Sequence, residues 1–434
     1  MFVKAVSPGT GYQCAHSLLQ SIPRLTQPEI MAIRHLAHAF SSAPHRMLFF
    51  TGMLQIVLVM ALWGVELAGR AGLLALPPQT LAPIHGHTVL MLYGIFPFFI
   101  FGFLFTVYPR WLGGAPITAR TYITVFVLLT TGAFAFDLGL YGGRVLLAAA
   151  LLTSLAGWLA AIVALYRVYR RARHHSTHER LLNLALAAGA GGVAVTLAGV
   201  LGNQPPLFLV AREMGLWLFL LPVIFLVSHR MIPVFSQGTL MNYLLVRPAW
   251  SPPLMVVCVL LHVTLELGNL SAWRWLADGP LAVAALQHSW VWQFRRSFHA
   301  RLLAMLHIAF LWLGIGMSLY TLQSLLLLAT GTDYFGRAPL HALGLGFITG
   351  MVVAMGSRVT LGHSGQALHA DTLTWLALLG LNLATVSRLA SEFLPTHATP
   401  LNLLAACLWL GFLVPWVLRY APLFLRTRVD GQPG

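Results

Sequence analysis

Charge is scarce in this chain. Asp, Glu, Lys and Arg make up 9% of its 434 residues, against about a quarter in a soluble domain. Together with 58% hydrophobic residues, that excludes an ordinary water-soluble fold. Acidic residues are scarcer still, 11 against 26 Lys and Arg. The excess cations are spread along loops, so they read as topology signals and not as a nucleic-acid patch. There are only three cysteines and no CxxC or CxxCH, which excludes c-type heme attachment and a zinc ribbon. No phosphate-binding loop, dinucleotide fingerprint or Ser-His-Asp order is present. Residues 1–44 lack the charged and apolar regions and the cleavage site of a signal peptide.

What is there is a series of long apolar runs. A membrane span needs about 20 apolar residues. That ruler gives twelve candidates: 47–67, 87–108, 120–140, 145–166, 181–202, 208–232, 253–270, 275–293, 302–328, 340–358, 372–391 and 400–424. The seventh and eighth are the weakest, being short and interrupted by Asn269, Arg274, Asp278 and Pro280. With a cytoplasmic N-terminus, only Arg70, Arg144, Arg212, Arg274, Arg337 and Arg388 of the 26 cations fall outside. The positive-inside rule therefore favours twelve spans with both termini cytoplasmic. The expected fold is an all-α polytopic membrane protein in a single bundle. A segment 1–44 precedes the bundle at 45–425, and a tail follows at 426–434. Ile30, Ile33, Leu36, Ala37 and Phe40 would give the leading segment an amphipathic helix lying on the lipid surface.

The histidines sit at the ends and in the interiors of these runs. Imidazole is costly in hydrocarbon without a partner, and it is also the commonest metal ligand and proximal heme ligand. The topology places His85, His87 and His341 near the outer surface and His45, His229 and His363 near the inner one, with His307 slightly deeper. His85 and His87, two apart, point in nearly opposite directions on a helix unless Gly86 opens the turn. Gly94 and Gly102 would leave room for a flat macrocycle on the His87 side, and Pro97 would kink the helix between them. Interfacial histidines and helix-packing glycines are the plainer alternative.

His341 opens the tenth run at the same depth, beside a close-packing stripe of Ala342, Gly346, Gly350 and Ala354. Axial imidazoles from His341 and from His85 or His87 would hold a low-spin heme b. His363 lies about 33 Å further along the helix, so it belongs to a separate inner site, with His307, His45 or His229 as partners. Arg230 and Arg358 stand at inner span ends. They suit heme propionates or lipid phosphates, or serve only as positive-inside arginines. His262 reads as a hydrogen-bonded core histidine, and His174, His175 and His178 as part of a solvated basic loop. The carboxylates Glu66, Asp137, Glu213, Glu266, Asp278 and Glu392 all map to outer ends or loops, which argues against an ion pump.

Three stretches carry a family resemblance: HGHTVLMLYGIFPFFIFGFLFTVYPRW, LLAMLHIAFLWLGIGM and LHALGLGFITGMVVAMGSRVTLGHSG, with RMIPVF as a shorter fourth. They resemble the NnrS family of polytopic inner-membrane proteins associated with the response to nitric oxide. The resemblance implies bound heme and copper, with His85, His87, His307, His341 and His363 at the motif histidines and Arg230 and Arg358 at the motif arginines. Thr88 stands where the family usually has glutamate, and His229 where a glycine is common. A second resemblance is to the catalytic subunit of heme-copper oxidases and nitric oxide reductases. It lacks their His-His pair within a span, since the only His-His here is His174–His175 in a loop. Three functional readings follow: redox chemistry at an open-coordinate heme, a saturated heme or copper site that senses or buffers nitric oxide, and a metal-free small-molecule transporter.

Overall fold

The computed structural model describes residues 27–429. Thirteen α-helices follow one another, with no strand among the described residues. They are α1 (Gln27–Ser41), α2 (Pro44–Arg70), α3 (Pro83–Trp111), α4 (Ala119–Gly142), α5 (Arg144–Arg171), α6 (Thr177–Gly202), α7 (Pro205–Gln237), α8 (Ser251–Leu267), α9 (Trp275–Val291), α10 (Arg301–Thr330), α11 (Ala338–His363), α12 (Thr372–Phe393) and α13 (Ala398–Tyr420). Each expected apolar run is a helix. Ten of them are long and apolar enough to cross a membrane. The other two, α8 and α9, have 17 residues each, or about 25 Å, short of the usual span. A helix, α1, stands where the amphipathic stripe was expected, although the side chains of Ile30 and Ile33 lie outside the description. So do Cys14 and the end of the tail.

Local chemistry sets the helix ends. Prolines, whose missing N–H costs nothing in a first turn, open α2, α3, α7, α8 and α11. Ser176 and Glu179 form a reciprocal capping box at α6. Asn203 and Gly331, at φ 51° and 69°, end α6 and α10 in the left-handed region. Neighbouring helices pack as antiparallel hairpins, and α13 returns to α2, where the Trp409 indole donates to the Ile56 carbonyl at 3.0 Å.

The most enclosed spans are α3, α7, α10 and α11. Three of these four contain a π-helical stretch: Leu90–Ile95 in α3, Met214–Leu220 in α7 and Ala342–Thr349 in α11. Two of the stretches have a covalent cause. Pro97 and Pro222 cannot donate to the fourth residue before them, and their rings press on its carbonyl. Those residues, Tyr93 and Leu218, lie within the widened turns. The kink expected from Pro97 is thus accompanied by a π turn just before it. Such turns concentrate at functional sites. Side chains take up their backbone groups: Tyr93 donates to the Ala211 carbonyl at 2.6 Å and Thr349 to the Gly344 carbonyl at 2.8 Å.

The glycines mostly serve close packing. A Cβ at Gly346 would lie 2.5 Å from the Trp312 ring, and one at Gly350 3.2 Å from Ala309, so the stripe on α11 presses on α10. Gly102 does not open onto a space for a macrocycle, because a Cβ there would meet the Phe49 ring at 2.8 Å. A Cβ at Gly94 would meet only Leu90 of its own helix.

Candidate functional site

The titratable side chains gather at the two ends of the enclosed helices. At the first end, His85 and His87 diverge as their spacing requires. His85 stacks on Phe208 of α7, 4.6 Å between ring centres and 14° from parallel. His87 turns the other way and stacks on Trp63 of α2, at 3.9 Å and 17°. Its Nδ1 is buried without a hydrogen-bond partner. That is costly for a polar atom in an apolar setting. His341 of α11 lies within electrostatic reach of His87, and both are near Arg337 and Arg388. The His341 Nδ1–H donates to the Arg337 carbonyl at 2.9 Å. This fixes the tautomer and leaves Nε2 as the lone-pair nitrogen, the usual arrangement of a metal-ligating histidine. Arg388 is paired with Glu392, and Arg70 with Glu66. Thr88 bonds back to the Ile84 carbonyl at 2.8 Å, so it offers no group to its neighbours where a glutamate would project.

At the opposite end, the first turn of α2 meets the last turn of α11. The His45 and His363 rings are 4.4 Å apart between centres, inclined at 41°. His45 is buried, and its Nδ1 lies 3.5 Å from the Thr106 hydroxyl of α3. Arg46, Arg110 and Arg428 surround the pair. Two neutral imidazoles at this separation are donors for a borderline transition-metal cation, and the guanidinium groups around them oppose its charge.

His307 and His229 do not join that pair. His307 lies 3.1 Å through Nε2 from the Ser236 hydroxyl of α7. His229 meets His178 of α6, Nδ1 to Nε2 at 3.0 Å, and its own Nε2 is buried without a partner. His288 of α9 is 5.7 Å away, ring centre to ring centre, and is held by Ser251 at 2.7 Å. His178 is therefore part of the bundle's polar interior and not of a solvated loop. His174 and His175 are exposed, as expected. A polar cavity of about 340 Å³ adjoins this group, lined in part by His178, Glu179, Arg230 and Arg247. Arg230 is committed to Glu179 and lies over the Trp111 ring. Arg358 sits 4.0 Å over the Phe235 ring and has no carboxylate partner among the described residues. Both arginines stand at the His45 end, far from His87 and His341. Among the described residues, no three His, Cys, Asp or Glu side chains converge to hold one metal ion.

Between the two ends lies a small apolar cavity of about 50 Å³. Phe49, Phe99, Val223, Ile224, Met351 and Met355, from α2, α3, α7 and α11, are among its walls. Phe49 also meets the His45 ring edge-on at 6.2 Å.

Sequence reasoning had not singled out Trp63, Thr106, His178 or His288 as partners. The helical spacing from His174 to His178 carried no signal, and His288 fell in one of the two weakest runs. Asp137, Glu213 and Asp278, assigned to outer ends, are buried.

The sequence matches the family described as NnrS protein over residues 39–428, nearly the whole chain. No curated protein matches it. The chain belongs to the NnrS family.

Proposed function

We propose that this NnrS-family membrane protein binds heme b between His87 and His341, holds copper at His45 and His363, and serves the response to nitric oxide. One observation carries the reading. Two histidines of α3 and α11 stand within reach of each other, one with an unpartnered buried Nδ1 and the other with its Nδ1–H tied to a carbonyl. The residues fit the group. Arg337 and Arg388 lie beside the two imidazoles, where a propionate would need a cation. The unpartnered position at Gly94 and the π turns next to both histidines leave the helices locally wide. A heme here would supply an iron that exchanges one electron and, if one axial position opens, binds a diatomic ligand.

The chain's own residues do the rest. Trp63 and the Arg337 carbonyl orient the two rings. The apolar cavity admits a small uncharged molecule and excludes ions, since a site without polar partners stays dry. That favours a neutral diatomic such as nitric oxide over a charged substrate. At the other end, His45 and His363 offer two neutral nitrogens, and Thr106 fixes the first ring. His85 and His307 have aromatic and hydroxyl partners and are left to packing, while His229 belongs to a separate group with His178 and His288. The cation excess on one side supports cytoplasmic termini, and with them a heme near the outer face of a bacterial inner membrane.

The test is a dithionite-reduced minus oxidised absorption spectrum of detergent-purified protein made under heme-replete conditions. A sharp α band of b type is expected, and it should be lost in His87→Ala and in His341→Ala. A shift on adding nitric oxide favours chemistry at the iron, and an unchanged spectrum favours electron transfer. A flat spectrum from the unaltered protein overturns the assignment and brings the transporter reading forward.

A further inference from the structure

A second polar centre lies apart from the histidines assigned above. It is built by α7, α8, α9 and α10 near the His87 end. His262 of α8 and Asp278 in the first turn of α9 meet through Nδ1 and Oδ1 at 2.6 Å, and both are essentially inaccessible to solvent. Trp217, in the π turn of α7, lies flat on the His262 ring at 3.5 Å, and Tyr320 of α10 closes the other side edge-on at 5.3 Å. Glu213, also buried, stands at the start of the same π turn. One oxygen on each acid, Asp278 Oδ2 and Glu213 Oε2, is buried without a partner.

The charges around the centre can be counted. Glu213 pairs with Arg212 at 2.7 Å, and Arg212 also reaches Glu266 at 3.7 Å. Glu266 pairs with Arg274 at 2.8 Å, and Arg274 continues to Gln323 at 3.1 Å and lies over Tyr320. Asp333, beyond Gln323, is solvent-exposed. Cys258 of α8 is the remaining titratable neighbour of Asp278. Three carboxylates thus face two guanidinium groups, so the buried network is balanced when it holds one proton beyond neutral imidazole and ionised carboxylates, and His262 and Asp278, 2.6 Å apart, are placed to share it. An uncompensated charge in such a place is strongly unfavourable. Glu266 is partly open to solvent, so one carboxylate of the network meets water.

We propose that the His262–Asp278 pair is a proton-exchange site served from the His87 end of the bundle through Glu266 and Glu213. A proton leaves a hydronium ion, or another donor on that face, and is held between Asp278 Oδ1 and His262 Nδ1. Water is left behind and no electron moves. Release reverses the step. Because Trp217 lies in the π turn and Glu213 immediately precedes it, the protonation state of the pair acts directly on a widened segment of α7.

The experiment is pH-induced infrared difference spectroscopy of the full chain in liposomes, with the pH stepped on one side. It needs no heme, so its failure is separable from that of the proposed function. The expected result is a carboxyl C=O signal, paired with an imidazole signal, that follows the pH of the His87-end side. Both should disappear in Asp278→Asn and persist in Glu66→Gln. Should Asp278→Asn fail to fold, His262→Gln gives an independent reading. There Asp278 alone can take up the proton, so the pH-dependent C=O signal should persist while the paired imidazole signal is lost. A wild-type protein without a pH-dependent carboxyl signal, or a signal that survives Asp278→Asn, overturns the proposal.

Discussion

The imidazole of His87 lies flat on the indole of Trp63, 3.9 Å between ring centres. The contact restrains a ring whose Nδ1 has no hydrogen bond to orient it. Trp63 therefore does for His87 what the Arg337 carbonyl does for His341. Such outer partners are typically worth about 10–100-fold in ligand affinity. Trp63→Ala should lower heme retention on dilution or dialysis by about tenfold, while His87→Ala should abolish the α band. His85→Ala, which removes only a stack on Phe208, should leave the heme content unchanged. Pyridine hemochrome quantitation of the purified variants decides among these outcomes.

The same logic sets the expectation for copper. His45→Ala or His363→Ala should each remove the bound metal, because each leaves a single imidazole at the site. Thr106→Val keeps both nitrogens but loses the hydroxyl beside His45 Nδ1, so it should weaken copper by about tenfold. His307→Ala should not change the metal content, since His307 faces Ser236. Metal analysis per mole of protein, after equilibration with a competing chelator, measures all four. Copper that survives His45→Ala and falls in His307→Ala would reverse the assignment.

Much of this was legible from residue order, and the limits have physical reasons. Apolar run length located α2 to α13, because a span must satisfy its own backbone over a fixed thickness. The opposite aims of His85 and His87 were one of two arrangements open to the sequence, the other being convergence through Gly86. His45 was one of three partners weighed for His363. Nothing local could choose among them, because α2 and α11 are joined by no short loop and meet only in the assembled bundle. The π turns were missed, since Pro97 suggests a kink in any helix reading and Ala342–Thr349 contains no proline. His178 looked solvated because its neighbours are Arg173, His174 and His175. Only its pairing with His229 brings it inside.

The π turn of α3 depends on space made by two other helices. Tyr93 reaches between α6 and α7 to the Ala211 carbonyl, and a Cβ at Gly192 would stand 1.9 Å from its hydroxyl oxygen. Gly192→Ala must displace Tyr93 and so take one of its donors from the Ala211 carbonyl, leaving the Met214 amide. Overpacking of this kind costs about 1–3 kcal/mol. The variant should unfold at lower temperature in detergent, and Tyr93→Phe should relieve only part of the clash because the ring itself is 2.7 Å away. A Gly192→Ala protein with wild-type thermal stability would show that the Tyr93 contact is dispensable.

A titration outside the spans makes the last prediction. Asp371 caps α12 by accepting from the Thr374 amide at 2.8 Å and its hydroxyl at 2.7 Å, with Arg419 at 3.3 Å. Partial burial alone would raise its pKa, but the Thr374 and Arg419 contacts outweigh it and hold the carboxyl below its ordinary value. A carboxylate with a depressed folded pKa stabilises the fold above its unfolded value, and that stabilisation is lost as pH falls through the folded one. Asp371→Ala should therefore destabilise the protein at neutral pH by about 1 kcal/mol, the usual worth of an N-cap. The difference should close on acidification, once the wild-type carboxylate is protonated. Asp371→Asn keeps a capping oxygen and should retain most of the stability without the pH dependence. Thermal unfolding of the three proteins across the acidic range tests this, and a gap that widens as pH falls would show that Asp371 is not the group responsible.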